Sequence, residues 1–315
     1  MESTKTKRSS RVNERRRKKL LFYICLVLIP SLQFAVFYVY VNLNSFILAF
    51  QNYTARQGAL GYDVTFAGFV NFSAAFHILG DGIVMLKNSL IWFAVKVGIG
   101  ITLALTFSFY IYKKYPMSGL FKVILFMPQI LSSLVFALLF RYIVTDVYLL
   151  VEQKIMGASG LGGLLDRVST RFATTIFYNL WVGFGVNVLL FSGGMSSIDE
   201  SLVESAKLDG ANLLQEFFHL TIPMIWPTLV SFLIISLTGV FTDQMNLYSL
   251  FGSGSEIQTL GYYLYVNAKS ADILPNANGI SYSILSALGL ILTIILFPIT
   301  YGVRYLLNRF GPKED

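Results

Sequence analysis

Five carboxylates, Asp199, Glu200, Glu204, Asp209 and Glu216, are set around a single lysine, Lys207. Nothing that would turn them into a catalyst accompanies them. The chain has one cysteine, Cys25, and two histidines, His77 and His219, far apart in sequence, so no Cys-based metal site exists. There is no HExxH helix and no GxSxG elbow, and the Gly-rich run from Gly157 to Gly163 lacks the lysine of a phosphate-binding loop. What remains is the chemistry of a surface: an acidic, small-residue helix pair suited to a basic or polar groove on a partner. The alternative, a helix lying on the inner membrane surface, would set these carboxylates against anionic lipid.

The elements that carry these groups follow from spacing. Ser197 and Glu200 form a capping-box pattern for a helix start, and Leu202, Val203, Ala206 and Leu208 supply apolar positions around the next turns. Gly210 interrupts with a backbone free of side-chain restriction. A second short helix is expected from about Ala211 to Leu220, ended by Pro223 and Pro227.

The surrounding chain is built for lipid. It is 55% hydrophobic and 13% charged, with mean hydropathy +0.64, against about 25% charged in a soluble domain. Six segments reach the roughly 20 apolar residues of a span: 20–43, 89–112, 121–143, 172–193, 225–247 and 282–306. Nine of the 24 Lys and Arg lie between Lys5 and Lys19. Before a span, such a run reads as a cytoplasmic anchor and not as a nucleic-acid arm. With the N-terminus inside, sixteen Lys and Arg fall on inner segments and six on outer ones. Both termini are therefore expected in the cytoplasm, with most of the bias carried by the tail. The expected organisation is a basic tail, 1–19, and a transmembrane domain, 20–315, with the acidic connection 194–227 on the inner side. The outer connections 44–88 and 248–281 are too short for independent domains and are expected to form small caps or a docking rim.

Glu204-Ser205-Ala206-Lys207-Leu208-Asp209-Gly210-Ala211, then Phe217, Ile222-Pro223 and Pro227, resembles the EAA loop of binding-protein-dependent ABC importer permeases. Ser205 replaces an alanine, small for small. The likeness extends to 66–72 before Asn88-Ser89, to Phe121 through Pro128, to Thr259 through Tyr265 and to 279–283, in the manner of the maltose-type first permease. Gly252-Ser253-Gly254 departs from the Gly-Gly-Pro often found in the family.

The resemblance implies an all-α integral membrane protein with the six-helix type I ABC importer fold and a cytoplasmic coupling helix, in the bacterial cytoplasmic membrane. It implies a second permease, two ATP-binding subunits and an extracytoplasmic solute-binding protein as partners, with no cofactor, metal or nucleic acid of its own. ATP would be bound by the partner subunits, so the chain is expected not to be an enzyme. The expected cargo is a carbohydrate, by default an oligosaccharide, moved by alternating access. Another solute class, such as an amino acid or phosphate, is the alternative. A secondary transporter would call for an inverted repeat and paired broken helices, neither of which is visible in the sequence. In this scheme Glu204 anchors the ATPase groove, with Ser205 and Ala211 in the same motif. Ala206 and Gly210 permit close approach, Asp209 caps or braces the second helix, Phe217 fills an apolar contact and Pro223 closes the motif.

Substrate contacts are expected among polar residues inside spans: Asn187, Asp243, Gln244 and Asn246, with Trp181 and Tyr248 nearby. Helix–helix hydrogen bonding would use the same residue types. Lys96 sits in an apolar stretch, where an ammonium costs roughly 2.5–3.5 kcal/mol unless paired or wetted. It reads either as a path cation for an acidic sugar or, preferentially, as a partner of a nearby carboxylate. Arg141 reads as an interface anchor at the outer end of its span.

Overall fold

The computed structural model describes residues 2–55, 61–157, 162–272, 274–275 and 279–312, with the side chains of 2–15 and 156 excluded. Arg56, Lys313, residues 158–161 of the Gly-rich run and the tail side chains from Lys5 to Arg15 lie outside the described residues. Helix dominates, as it must where lipid offers no hydrogen-bond partner to the backbone.

The chain divides into two compact units. The first comprises residues 1–75 and 272–290. Its apolar helix α1, Arg16–Leu48, continues backbone that is helical from Glu2, tolerates Pro30 in its interior and contains a π-helical turn at Ala35–Tyr40. It is exposed throughout 16–44, as suits a rod whose solvent is lipid. An antiparallel hairpin follows, β1 Gln51–Ala55 with β2 Tyr62–Phe66, in the register Tyr53 opposite Val64. This hairpin is absent from the all-helical expectation. Buried Asn71, at the start of helix α2 (Val70–Asp81), ties it down by donating to the carbonyls of Ala49 and Gln51 at 3.0 and 2.9 Å. Phe50, Phe66, Phe69 and Phe72 pack around the same corner.

The second unit, residues 76–271 and 291–315, holds most of the helices. They are α3 Ile83–Tyr112, α4 Ser118–Ile130, α5 Ser133–Ile155, α6 Val168–Met195, α7 Glu200–Leu208, α8 Leu213–Met224, α9 Trp226–Thr238, α10 Leu247–Phe251 and α11 Leu260–Ser270. Helix α12, Tyr282–Phe310, starts in the first unit and ends in the second. Among the described residues five of these helices, α1, α3, α5, α6 and α12, are long and apolar enough to cross a membrane, and the count is six when the bent pair α8–α9 is taken as one span. The six-span expectation therefore stands.

Two of its boundaries do not. The span expected at 121–143 is interrupted: α4 ends in extended backbone at Leu131 and a new helix starts after Ser132. Pro128 withholds one backbone donor in the last turn of α4, and thirteen residues reach only about 20 Å. By length and composition α5 alone could cross, while α4 packs along the inner half of α6, where Gln129 donates to the Val182 carbonyl. Arg141 lies in α5 and donates to the Leu250 carbonyl at 3.1 Å. The fifth span also stops early, at Thr238, and 239–246 leaves the helix in turns.

The densest packing lies where α3 meets α6. Ile101, Ala104, Leu105 and Phe109 interdigitate with Val188, Phe191 and Met195. Ser108 reaches across, sharing its hydroxyl between the carbonyls of Ala104 and Val188. Ile198, Val203, Ile225 and Leu229 join this core, as does Phe217 from its edge, so the acidic connection is rooted in the span bundle and not merely tethered to it.

Candidate functional site

The acidic connection folds into an elbow of two helices, α7 and α8. The cap of α7 is Asp199, whose carboxylate accepts from the Ser201 amide at 2.9 Å. Ser197, the cap expected from sequence, instead donates its hydroxyl to the Gly194 carbonyl within the preceding turn. The Ser201 hydrogen bond holds the Asp199 carboxyl below its ordinary value, keeping the cap charged at the positive end of the helix. At the other end, the Ala211 amide donates to the Ala206 carbonyl and the Gly210 amide to that of Lys207. This crossed pair is a Schellman cap, and it requires the left-handed residue that Gly210 supplies at φ +79°.

Helix α8 opens with a reciprocal capping box, Asn212 Oδ1 accepting from the Gln215 amide and Gln215 Oε1 from that of Asn212, both at 2.9 Å. Asp209, expected to cap or brace this helix, is instead the C-cap residue of α7. After a π-helical turn at Glu216–Thr221, α8 meets α9 at a bend of 69°, with Pro223 and Pro227 flanking Ile225.

Glu216 does not belong to the open acidic face. It is buried and forms an ion pair with Lys113, which follows α3 directly. Phe217 packs beside it, 4.9 Å from the ring of Phe109 on α3. The elbow is thus fixed to the second span by one buried ion pair and one aromatic contact. Its outer face remains exposed: Glu200, Glu204, Ser205, Asp209 and Leu208, the last 89% accessible. Beside that face runs a cleft of about 350 Å³ lined by Lys113, Lys114, Glu200, Val203, Glu204 and Lys207. Ala206 is half-buried, so the small residues of the motif face both ways.

The second candidate region is polar and lies at the level of the spans. Asp243 is its centre. Its Oδ2 accepts from the Trp92 indole at 2.8 Å and faces Lys96 Nζ at 3.4 Å, while Oδ1 accepts from the Met245 amide at 2.9 Å. Lys96 therefore has the carboxylate partner that an ammonium needs in this setting. The turn bearing Asp243 is held by unusual backbone, Met245 and Asn246 both adopting positive φ. Asn179 on α6 clamps it, donating to the Met245 carbonyl and accepting from Asn246, each at 2.8 Å. Gly261 lets α11 lie against the same turn, since a Cβ there would sit 2.5 Å from the Thr242 backbone. Gln244 buries an Oε1 that has no hydrogen-bond partner among the described residues.

The remaining candidates stand apart. Trp181 lies on α6 but packs toward α5, 5.1 Å from the ring of Phe136, in a cluster with Phe140 and Phe177. Asn187 is half-buried six residues further along α6, about 120° round the helix from Trp181. Tyr248 receives a hydrogen bond from Lys269 and meets Tyr265 edge-on. Sequence reasoning missed Lys113, Asn179 and Asn212. Lys113 showed only as one more inner charge and Asn179 as one polar residue in an apolar run. Asn212-x-x-Gln215 was a readable capping signal, passed over in favour of Ala211.

Comparison with known proteins bears on the whole chain. A family model described as binding-protein-dependent transport system inner membrane component matches residues 96–313. The arabinooligosaccharides transport system permease protein AraP of Halalkalibacterium halodurans is 26% identical over 90% of this chain and 87% of that protein. The multiple sugar-binding transport system permease protein MsmF of Streptococcus mutans is 26% identical over 84% of this chain and 90% of that one. Among solved structures, a chain of a bacterial ABC transporter involved in the import of the acidic polysaccharide alginate superposes with TM-score 0.72 at 19% identity, covering 95% of this chain and 99% of the other.

Proposed function

The chain belongs to the family of binding-protein-dependent transport system inner membrane components, multi-pass permease subunits of ABC transport systems, and from that premise we propose how it works. It carries a carbohydrate, an oligosaccharide by default, inward across the cytoplasmic membrane by alternating access. Its relatives named for arabinooligosaccharides and for multiple sugars support that cargo. A second permease completes the pathway, an extracytoplasmic solute-binding protein delivers the sugar, and two ATP-binding subunits drive the cycle from the cytoplasm. Hydrolysis is assigned to those subunits, with no cofactor held by this chain.

One observation carries the coupling role. The elbow presents Glu204 and the exposed face of α7 outward while Lys113–Glu216 and Phe109–Phe217 bind its other side to the second span. A push on α7 is delivered to α3 and α6 through packed side chains, which transmit displacement because interiors are dense. Glu204 is the polar anchor of the docked ATPase. Ser205, Ala206 and Ala211 keep that contact close, and Gly210 sets the angle between the two arms. Asp243, Gln244, Asn246 and Asn187 remain the polar candidates along the sugar's path, with the aromatic face of Trp181. Lys96, neutralised by Asp243, gives no reason to favour an acidic sugar.

The test is reconstitution with the partner subunits. Glu204→Lys is expected to lower sugar uptake and binding-protein-stimulated ATP hydrolysis at least about tenfold, the usual scale for a lost charge contact at an interface. Full uptake in that variant, or failure of any ATPase subunit to co-purify with the native chain, contradicts the proposal.

A further inference from the structure

At the junction of α9 and the last turns of α12 lies a cleft of about 540 Å³ that the transport reading leaves unused. Its lining changes character along its length. At one end are Trp226, the first residue of α9, and Arg304 and Asn308, one turn apart on α12. Further along are the apolar Val230, Ile234 and Ile235, with Ser231 between them, its hydroxyl already donating to the Pro227 carbonyl at 2.8 Å. Ile234 is eight residues from Trp226, about 12 Å along the helix. That matches the distance from a headgroup into the upper acyl region of a leaflet. The Trp226 indole is fixed by donating to the Leu307 carbonyl at 3.2 Å, in the belt position where such rings sit at a membrane–water boundary.

The polar end is unsatisfied. Arg304 makes no hydrogen bond or ion pair with any described residue, whereas Arg309, five residues on, donates to Tyr305. Among the described residues the cleft's lining contains one cation and no carboxylate. We propose that this cleft is a binding site for an anionic phospholipid of the inner leaflet, its phosphate held by Arg304 and Asn308 and an acyl chain laid along Val230, Ile234 and Ile235. Guanidinium matches phosphate geometry with paired donors, and basic pockets between spans on the cytoplasmic side favour anionic headgroups. A zwitterionic lipid would bring its own ammonium toward Arg304, so charge selects the anionic class. The proposal rests on the inside placement of this end of the chain and not on the nature of the cargo.

Native mass spectrometry of the detergent-extracted full chain, titrated with phosphatidylglycerol or phosphatidylcholine, tests it. One strongly retained phosphatidylglycerol is expected, with phosphatidylcholine released at lower activation. Arg304→Ala is expected to lower that retention about fivefold, the worth of one cation at an anionic surface, and Arg304→Lys to restore part of it. As a check that needs no variant, a phosphatidylglycerol carrying a photoreactive acyl chain, in nanodiscs, should label peptides containing residues 230–235. Equal retention of both lipids, equal retention by native chain and Arg304→Ala, or labelling spread evenly over all spans overturns the proposal. So does efficient crosslinking of a cysteine at Ile235 to another permease chain, which would make the cleft a protein interface.

Discussion

Asp243 shows why a charged pair inside a span must be judged as a group. Its carboxylate holds the Trp92 indole, the Met245 amide and Lys96 together, with the two charged side chains 28–29% exposed. Lys96→Met leaves that carboxylate without its countercharge. It is expected to destabilise the protein by about 1–3 kcal/mol, less than the 3–5 kcal/mol of a fully buried pair. Lys96→Met with Asp243→Asn should recover much of the loss. Thermal unfolding in detergent of the two single variants and the double variant gives the coupling energy. Additive losses would mean the pair is not an energetic unit. The anomaly of Lys96 was legible in the sequence, and so was the polarity of Asp243. Their meeting was not, because hydropathy extends the fifth span through Asp243, whereas positive φ at Met245 and Asn246 folds that segment back. Asn179, which clamps the fold-back, has no spacing signature at all.

At the scale of elements, the elbow's angle is set by backbone and caps. Gly210→Ala forces a side chain into the left-handed region at φ +79° and should cost about 1–2 kcal/mol. Asn212→Ala removes one half of the capping box, worth about 1 kcal/mol. Both are expected to weaken ATPase coupling more than sugar binding, read as uptake per ATP hydrolysed by the reconstituted transporter. Unchanged stoichiometry in both would mean the elbow's shape is not what transmits the stroke. Gly210 was readable in advance because few residues other than glycine serve a helix that must turn sharply. The start of α7 was misread because Ser197-x-x-Glu200 matches a capping box, while one turn remains before the helix and Asp199 takes the role. The break after Ile130 was hidden for a different reason. Leu131, Ser132 and Ser133 barely lower a hydropathy average, and the interruption is one of backbone direction and not of polarity.

For the whole molecule, hydropathy recovered the number of crossings because lipid admits few alternatives, whereas orientation rests on where Lys and Arg fall. That placement predicts single-cysteine labelling. With Cys25 replaced by alanine, a cysteine at Leu208, 89% exposed, should react with an impermeant maleimide only in inverted vesicles. One at exposed Ser253 should react only in intact cells. The reverse pattern would turn the elbow, and the cleft beside Arg304, to the wrong side.

Four π-helical turns, at Ala35–Tyr40, Lys96–Ile101, Ile143–Val147 and Glu216–Thr221, punctuate the described helices, and the last of them carries both Glu216 and Phe217. Such a turn holds roughly one residue more than its α-helical neighbour. If that surplus migrates along the rod, each side chain it passes swings by about 100° around the axis, and no hydrogen-bonded turn has to melt. A rigid-looking strut of this kind has a built-in swivel, able to re-aim the groups it bears while its ends stay moored.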